Sequence, residues 1–131
     1  MDDQSSQKPE ILIVDDSKVI RKAATKMLGD GYVIHEAVDG RDGWQQIQQN
    51  SAISVIFTDV QMPVMDGIEA LERIKSSHPE LPVIMMTAYA DSSAVERARQ
   101  RGAEAVVFKP LDMPEVLSLI ERVIRRTVTV R

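Results

Sequence analysis

Five short apolar runs set the narrowest limit on what this chain can become: ILIV (11–14), YVI (32–34), VIF (55–57), PVIMM (82–86) and AVVF (105–108). A strand with one wet face alternates apolar and polar residues, whereas a strand covered on both faces is apolar throughout. These runs are mostly continuous, and they are too short for buried helices. They predict a parallel sheet with both faces covered.

The stretches between them carry helical patterns. After Asp16-Ser17, a capping pair, Val19, Ile20, Ala23, Ala24, Met27 and Leu28 fall on one helical face, and Gly29 and Gly31 end it. Residues 39–50 form a weaker pattern with Trp44 and Ile47 as apolar contacts, and 66–77 opens on a capping box, Asp66 followed by Glu69. Residues 91–102 have a cap at Asp91, a thin stripe of Ala94, Val95 and Ala98, and a closing Gly102. The last pattern, 112–127, has Pro114 near its first turn and would bury Val116, Leu117, Ile120, Val123 and Ile124. Five strand–helix pairs in strict alternation predict a doubly wound α/β fold, in which ligands sit outside the carboxyl ends of the strands.

At 131 residues the chain is the size of one domain. Residues 1–8 read as a flexible tail, 9–126 as the domain and 127–131 as a C-terminal tail. With 44% hydrophobic and 27% charged residues, the composition is that of an ordinary globular protein. The absence of cysteine excludes disulfides, thiolate metal sites and cysteine nucleophiles. A net charge of −4 argues against a general nucleic-acid surface. No apolar run is long enough to span a bilayer, and the first residues, MDDQSSQKPE, are polar and acidic, unlike a signal peptide. The expected location is the cytoplasm, without membrane insertion or direct nucleic-acid binding.

The chemistry gathers where the runs stop. Asp15-Asp16 follow the first, Asp59 the third, Thr87 the fourth and Lys109 the fifth. In a parallel sheet all of these lie at one edge. Two carboxylates about 4 Å apart repel by about 4 kcal/mol at an effective dielectric of about 20, so three of them need a counter-charge. Hard oxygen donors, with neither Cys nor His nearby, suit Mg²⁺ rather than zinc. A carboxylate beside a metal, facing a hydroxyl and an ammonium, suits phosphoryl transfer. Taken singly, each residue has a plainer use: Asp15-Asp16 as a cap cluster, Thr87 as a turn residue, Lys109 as a solvated lysine. Their joint position at the strand ends favours the functional reading.

The segments VDDS, DVQMPVMDG, MTAYA and FKP, in this order and spacing, resemble a response regulator receiver domain over about residues 9–126. The resemblance implies a flavodoxin-like five-stranded sheet of order 2-1-3-4-5. It implies that Asp59 is the phosphoacceptor, taking its phosphoryl group from a sensor histidine kinase or a phosphotransfer protein. Asp16 and Asp59 would bind Mg²⁺ with the main-chain carbonyl of Gln61, and Asp15 would act largely through a bound water. Lys109 and Thr87 would each hold a phosphoryl oxygen, and the Lys109-Pro110 bond would be cis. Such a chain is a signalling switch that catalyses its own Mg²⁺-dependent phosphorylation and dephosphorylation. With no output domain in view, it is expected to stand alone and to signal to a downstream effector, as in a phosphorelay, through protein contacts.

Three positions before Lys109, where many receivers carry an aromatic switch residue, this chain has Val106. Tyr89, two after Thr87, is expected near the site mouth, where it would partly shield the acyl phosphate and report the switch. Three other readings compete. An aspartate-based phosphohydrolase typically has a second carboxylate two residues after its nucleophile, where this chain has Gln61. A flavodoxin-like binder would want a phosphate cradle where this chain has DDSK. A receiver-like module acting without phosphorylation is opposed by the intact set Asp15, Asp16, Asp59, Thr87 and Lys109. His35 and His78 show no acid or metal partner at a recognisable spacing and read as structural or surface groups. Met62, Met65, Met85 and Met86 read as packing residues.

Overall fold

The computed structural model describes residues 8–60, 67–88 and 93–129, with side chains described through residue 125. Five strands alternate with five helices: β1 (Glu10–Val14), α1 (Lys18–Leu28), β2 (Val33–Ala37), α2 (Gly40–Gln49), β3 (Ile53–Asp59), α3 (Gly67–Ser77), β4 (Val83–Thr87), α4 (Ser93–Gln100), β5 (Ala105–Phe108) and α5 (Met113–Thr129). The strands form one sheet of order β2-β1-β3-β4-β5, every pairing parallel. This is the flavodoxin-like order that the resemblance implied.

The continuous apolar runs have a direct explanation in the core. Successive strand residues point to opposite faces, so one run feeds two cores. Leu12, Val14, Ile56 and Met85 join Ile47 of α2, Leu71 and Ile74 of α3 and Ala98 of α4. Their neighbours Ile11, Ile13, Phe57 and Met86 join Ala24 and Leu28 of α1 and Val116, Ile120 and Val123 of α5. All eight of these strand residues are buried, Met85 and Met86 among them.

The helix ends follow their sequence signals. Ser17 caps α1 by accepting from the Ile20 amide at 3.3 Å, and Asp39 caps α2 by accepting from Asp42 at 2.8 Å. Gly29 ends α1 at φ 68°, a left-handed backbone that costs glycine little. Asp66 and Asp91, expected to start helices, lie outside the described residues.

Three expectations need correction. On α1 only Ala24 and Leu28 are buried, while Val19, Ala23 and Met27 face outward. The sheet meets a narrower arc of this helix than its apolar residues cover. At the other end α5 continues to Thr129, into the segment expected to be a tail. Third, His35 does have an acid partner: its Nε2 lies 2.8 Å from Glu10 Oε1. Leu12 pairs with His35 across the β1–β2 ladder, so Glu10, two residues before Leu12, shares its face. His78 instead meets Ser77 Oγ at 2.8 Å and stands edge-on to the half-buried Trp44, with ring centres 6.4 Å apart.

Candidate functional site

The sheet order reverses at β1, between β2 and β3, and a parallel sheet opens a crevice there beyond its carboxyl ends. Asp59 is the last residue of β3, Thr87 the last of β4, and Asp15 immediately follows β1. Lys109 follows β5, and its amide donates to the Thr87 carbonyl at 2.8 Å, fixing the strand-end register. Residues 94 apart in sequence thereby meet: Lys109 Nζ donates to Asp15 Oδ2 at 3.1 Å and to Asp59 Oδ2 at 3.0 Å.

The centre is buried to a degree that carboxylates rarely tolerate. Asp15 is fully buried, Asp59 is 8% exposed and Thr87 2% exposed, while Asp16 faces solvent. Burial would lower the Lys109 pKa, but its bonds to Asp59 and Asp15 outweigh that and hold the ammonium above the ordinary lysine range. Every polar group of Asp15 is engaged. Its amide donates to Ala37 O at 3.1 Å, Oδ1 accepts from the Ser17 amide at 2.8 Å, and its carbonyl accepts from an Arg21 guanidinium nitrogen at 2.7 Å.

Three acids meet at this centre. Asp15, Asp16 and Asp59 each offer a carboxylate oxygen, all within 4.8 Å of one another. Among the described residues, three carboxylates gather around one ammonium, an excess of negative charge that a divalent cation would offset. The donor set is all oxygen, so the residues present fit a hard cation such as Mg²⁺.

The approach of α3 to the site depends on Gly67. Its amide donates to Val60 O at 2.8 Å, and a Cβ on it would lie 2.1 Å from the Asp59 carbonyl oxygen. No other residue type fits without a shift of α3 or of the end of β3. That carbonyl also accepts from Thr58 Oγ1 at 3.1 Å.

Of the other residues singled out in the sequence, Gln61 and Tyr89 lie outside the described residues. Val106 is half-buried and packs against the core on the α2, α3 and α4 side of the sheet. Pro110 is exposed, and the Lys109-Pro110 bond is cis as expected. Sequence reasoning missed the Ser17 amide, Arg21 and the tight fit of Gly67. The Asp-Gly pair signalled a helix start, but nothing in it announced the approach to Asp59.

Comparison with known proteins agrees with this geometry. Residues 11–121 match the response regulator receiver domain family. The chain is 36% identical over 118 residues to the DNA-binding transcriptional regulator NtrC of Proteus hauseri, an alignment covering 90% of this chain and 25% of that protein. It thus spans about a quarter of the length of that regulator. It is 34% identical over 129 residues to the chemotaxis protein CheY of Treponema pallidum, covering 92% of this chain and 90% of that one. Among solved structures, a CheY-like receiver domain protein from Methanospirillum hungatei superimposes with a TM-score of 0.89 at 26% identity, covering 95% of this chain and all of that one. The chemotaxis response regulator CheY4 of Vibrio cholerae gives 0.81 at 31% identity, covering 89% and 99%. Proteins of this family are signalling switches of two-component systems, with phosphorylation and Mg²⁺ dependence as family features. This chain belongs to the response regulator receiver domain family.

Proposed function

We propose that this protein is a phosphorylation-driven switch in which Asp59 accepts a phosphoryl group from a histidine kinase or a phosphotransfer protein in a Mg²⁺-dependent reaction. An Asp59 carboxylate oxygen attacks phosphorus, the nitrogen–phosphorus bond of the donor phosphohistidine breaks, and the imidazole leaves with the bonding pair. The product is an acyl phosphate on Asp59, which attack by water on phosphorus later returns to carboxylate and inorganic phosphate. Asp16 and Asp59 would hold Mg²⁺ with the Gln61 carbonyl, and Asp15 would act through a bound water. The cation would supply charge neutralisation for the acids and the transferring oxygens.

The chain's own residues do the rest. Lys109, bound to Asp15 and Asp59, is within reach of a phosphoryl oxygen once one arrives. Thr87 closes the neighbouring strand end and offers a hydroxyl to another. The new group carries about two negative charges, so recruiting Thr87 and Lys109 to it biases the surrounding surface toward a second conformation. That surface would pass the signal to an effector through protein contacts. Val106, in place of an aromatic, would modulate the coupling together with Tyr89. Among the described residues no helix is long and apolar enough to cross a membrane. A cytoplasmic setting is part of the proposal.

The observation that carries the reading is Lys109 bridging Asp15 and Asp59 within a cluster of three carboxylates at the strand ends. The test is intact mass after incubation with a small acyl phosphate donor, with Mg²⁺ or with EDTA, on wild type and Asp59→Asn. One added phosphoryl group with Mg²⁺ alone, absent from Asp59→Asn, is expected. No gain in a wild-type protein shown separately to bind Mg²⁺ would overturn the reading in favour of an interaction module that works without phosphate.

A further inference from the structure

We propose that Arg21 is a positioning residue for the acidic centre, clamping the Asp15 peptide against β2 so that the Asp15 carboxylate keeps its orientation toward the cation. The inference rests on the Mg²⁺-dependent reading above and extends it to a residue outside the ligand set.

Arg21 lies on α1 with its side chain only 12% exposed, unusual for arginine. Its guanidinium is divided between two elements. Nε donates to Glu36 Oε1 on β2 at 3.0 Å, and a terminal nitrogen donates to the Asp15 carbonyl at 2.7 Å, a short charge-assisted bond. Glu36 is held in turn. Its second carboxylate oxygen accepts from Lys22 Nζ at 3.1 Å, and its carbonyl accepts from Gln46 of α2 at 2.8 Å. Burial alone would raise the Glu36 pKa, and the bonds from Lys22 and Arg21 outweigh it, keeping the carboxyl below the ordinary range. The anchor is therefore charged at neutral pH.

The plain alternative is an ion pair that merely ties α1 to the sheet edge. The bond to Asp15 distinguishes the two, because it ends on the backbone of a residue whose carboxylate lies in the acidic cluster. With its amide held by Ala37 and its carbonyl by Arg21, the two peptide planes that flank the Asp15 Cα are each fixed. The side chain then has only its own torsions to settle, and Ser17 and Lys109 settle those. A planar fork can serve two acceptors in different directions, whereas an ammonium on a flexible stem holds such a geometry poorly.

The experiment measures Mg²⁺ affinity by calorimetry on the full chain for wild type, Arg21→Ala, Arg21→Lys and Glu36→Gln. It is run well below each variant's unfolding midpoint, with native circular dichroism required. Arg21→Ala and Arg21→Lys are expected to bind Mg²⁺ about tenfold more weakly, the scale of lost outer-shell support. Glu36→Gln, which keeps the guanidinium but loosens its anchor, should weaken binding measurably but by less than Arg21→Ala does. Wild-type affinity in folded Arg21→Lys and Glu36→Gln would overturn the inference, as would tighter binding in Arg21→Ala, since that would mean the guanidinium acts only as a repelling charge. If Arg21→Ala does not fold, the other two variants decide. A wild type that binds no Mg²⁺ would instead overturn the reading beneath, and this inference with it.

Discussion

The two ends of the sheet each carry an acid–base cluster across neighbouring elements, and they differ in one respect. At the amino edge Glu10 of β1 meets His35 of β2 at 2.8 Å and the Asn50 amide at 3.1 Å. The paired side chains are 30% and 27% exposed, and the single carboxylate has all the donors it needs. At the carboxyl edge Asp15 and Asp59 share one lysine, are nearly or fully buried, and lie beside a third acid. The first cluster has one carboxylate with two hydrogen-bond partners and is wet. The second, among the described residues, gathers three carboxylates around one lysine and is drier at Asp15 and Asp59, an arrangement that suits a bound cation.

Breaking the dry cluster should cost most. Lys109→Met leaves two buried carboxylates without their cation and should lower stability by about 3 kcal/mol in urea unfolding without divalent ions, the low end for a broken buried pair. Because the folded pKa of Lys109 is raised, its contribution is fully present below its unfolded value of 10.5 and is lost as pH rises through the higher folded value. Wild type should therefore lose its advantage over Lys109→Met in strong alkali. An unchanged difference would mean the bridge is not what stabilises the edge.

Supplying a divalent cation gives the next effect. Mg²⁺ at about a hundred times its dissociation constant should raise wild-type stability by about 2.7 kcal/mol. Asp59→Asn should lose most of that gain, whereas Glu10→Gln, at the other edge, should keep it. Gly67→Ala comes third, at about 2 kcal/mol, because a Cβ 2.1 Å from the Asp59 carbonyl forces α3 or the end of β3 to shift. Phosphoryl uptake should fall in that variant even where it is folded.

The wet cluster should matter least. The hydrogen bond from His35, then that from Asn50, lowers the Glu10 pKa, so its contribution is present above its unfolded value of 4.5 and fades as pH falls through the lower folded value. Glu10→Gln should cost under about 1 kcal/mol at neutral pH and flatten the acid limb of the stability curve slightly. A loss as large as that of Lys109→Met would erase the distinction between the edges.

What the sequence disclosed and what it hid divide along the same physical line. Apolar runs, caps and glycine stops are local, so the strands and helices could be read from spacing. The residues at the strand ends were legible because parallel strands bring their carboxyl ends to one edge whatever their order. Strand register is not local, and it alone explains why Glu10 finds His35, 25 residues away. The same holds for Arg21, whose acceptors lie on either side of it in the chain, and for Gly67, whose neighbour at Asp59 comes from another element. On α1 the apolar pattern was real but wider than the buried arc, because helical periodicity shows which residues share a face and not how much of it a sheet will cover.

The central claim is that the carboxyl edge exists to carry a phosphoryl group on Asp59. The most direct measurement is to phosphorylate the wild type with a small acyl phosphate donor and Mg²⁺, reduce the product with borohydride, and map the peptides by mass spectrometry. Reduction converts an aspartyl phosphate to homoserine and leaves unmodified aspartates intact. Homoserine at position 59 alone is the predicted result. Homoserine at Asp15 or Asp16, or at no position in protein that had gained a phosphoryl group, would contradict the account.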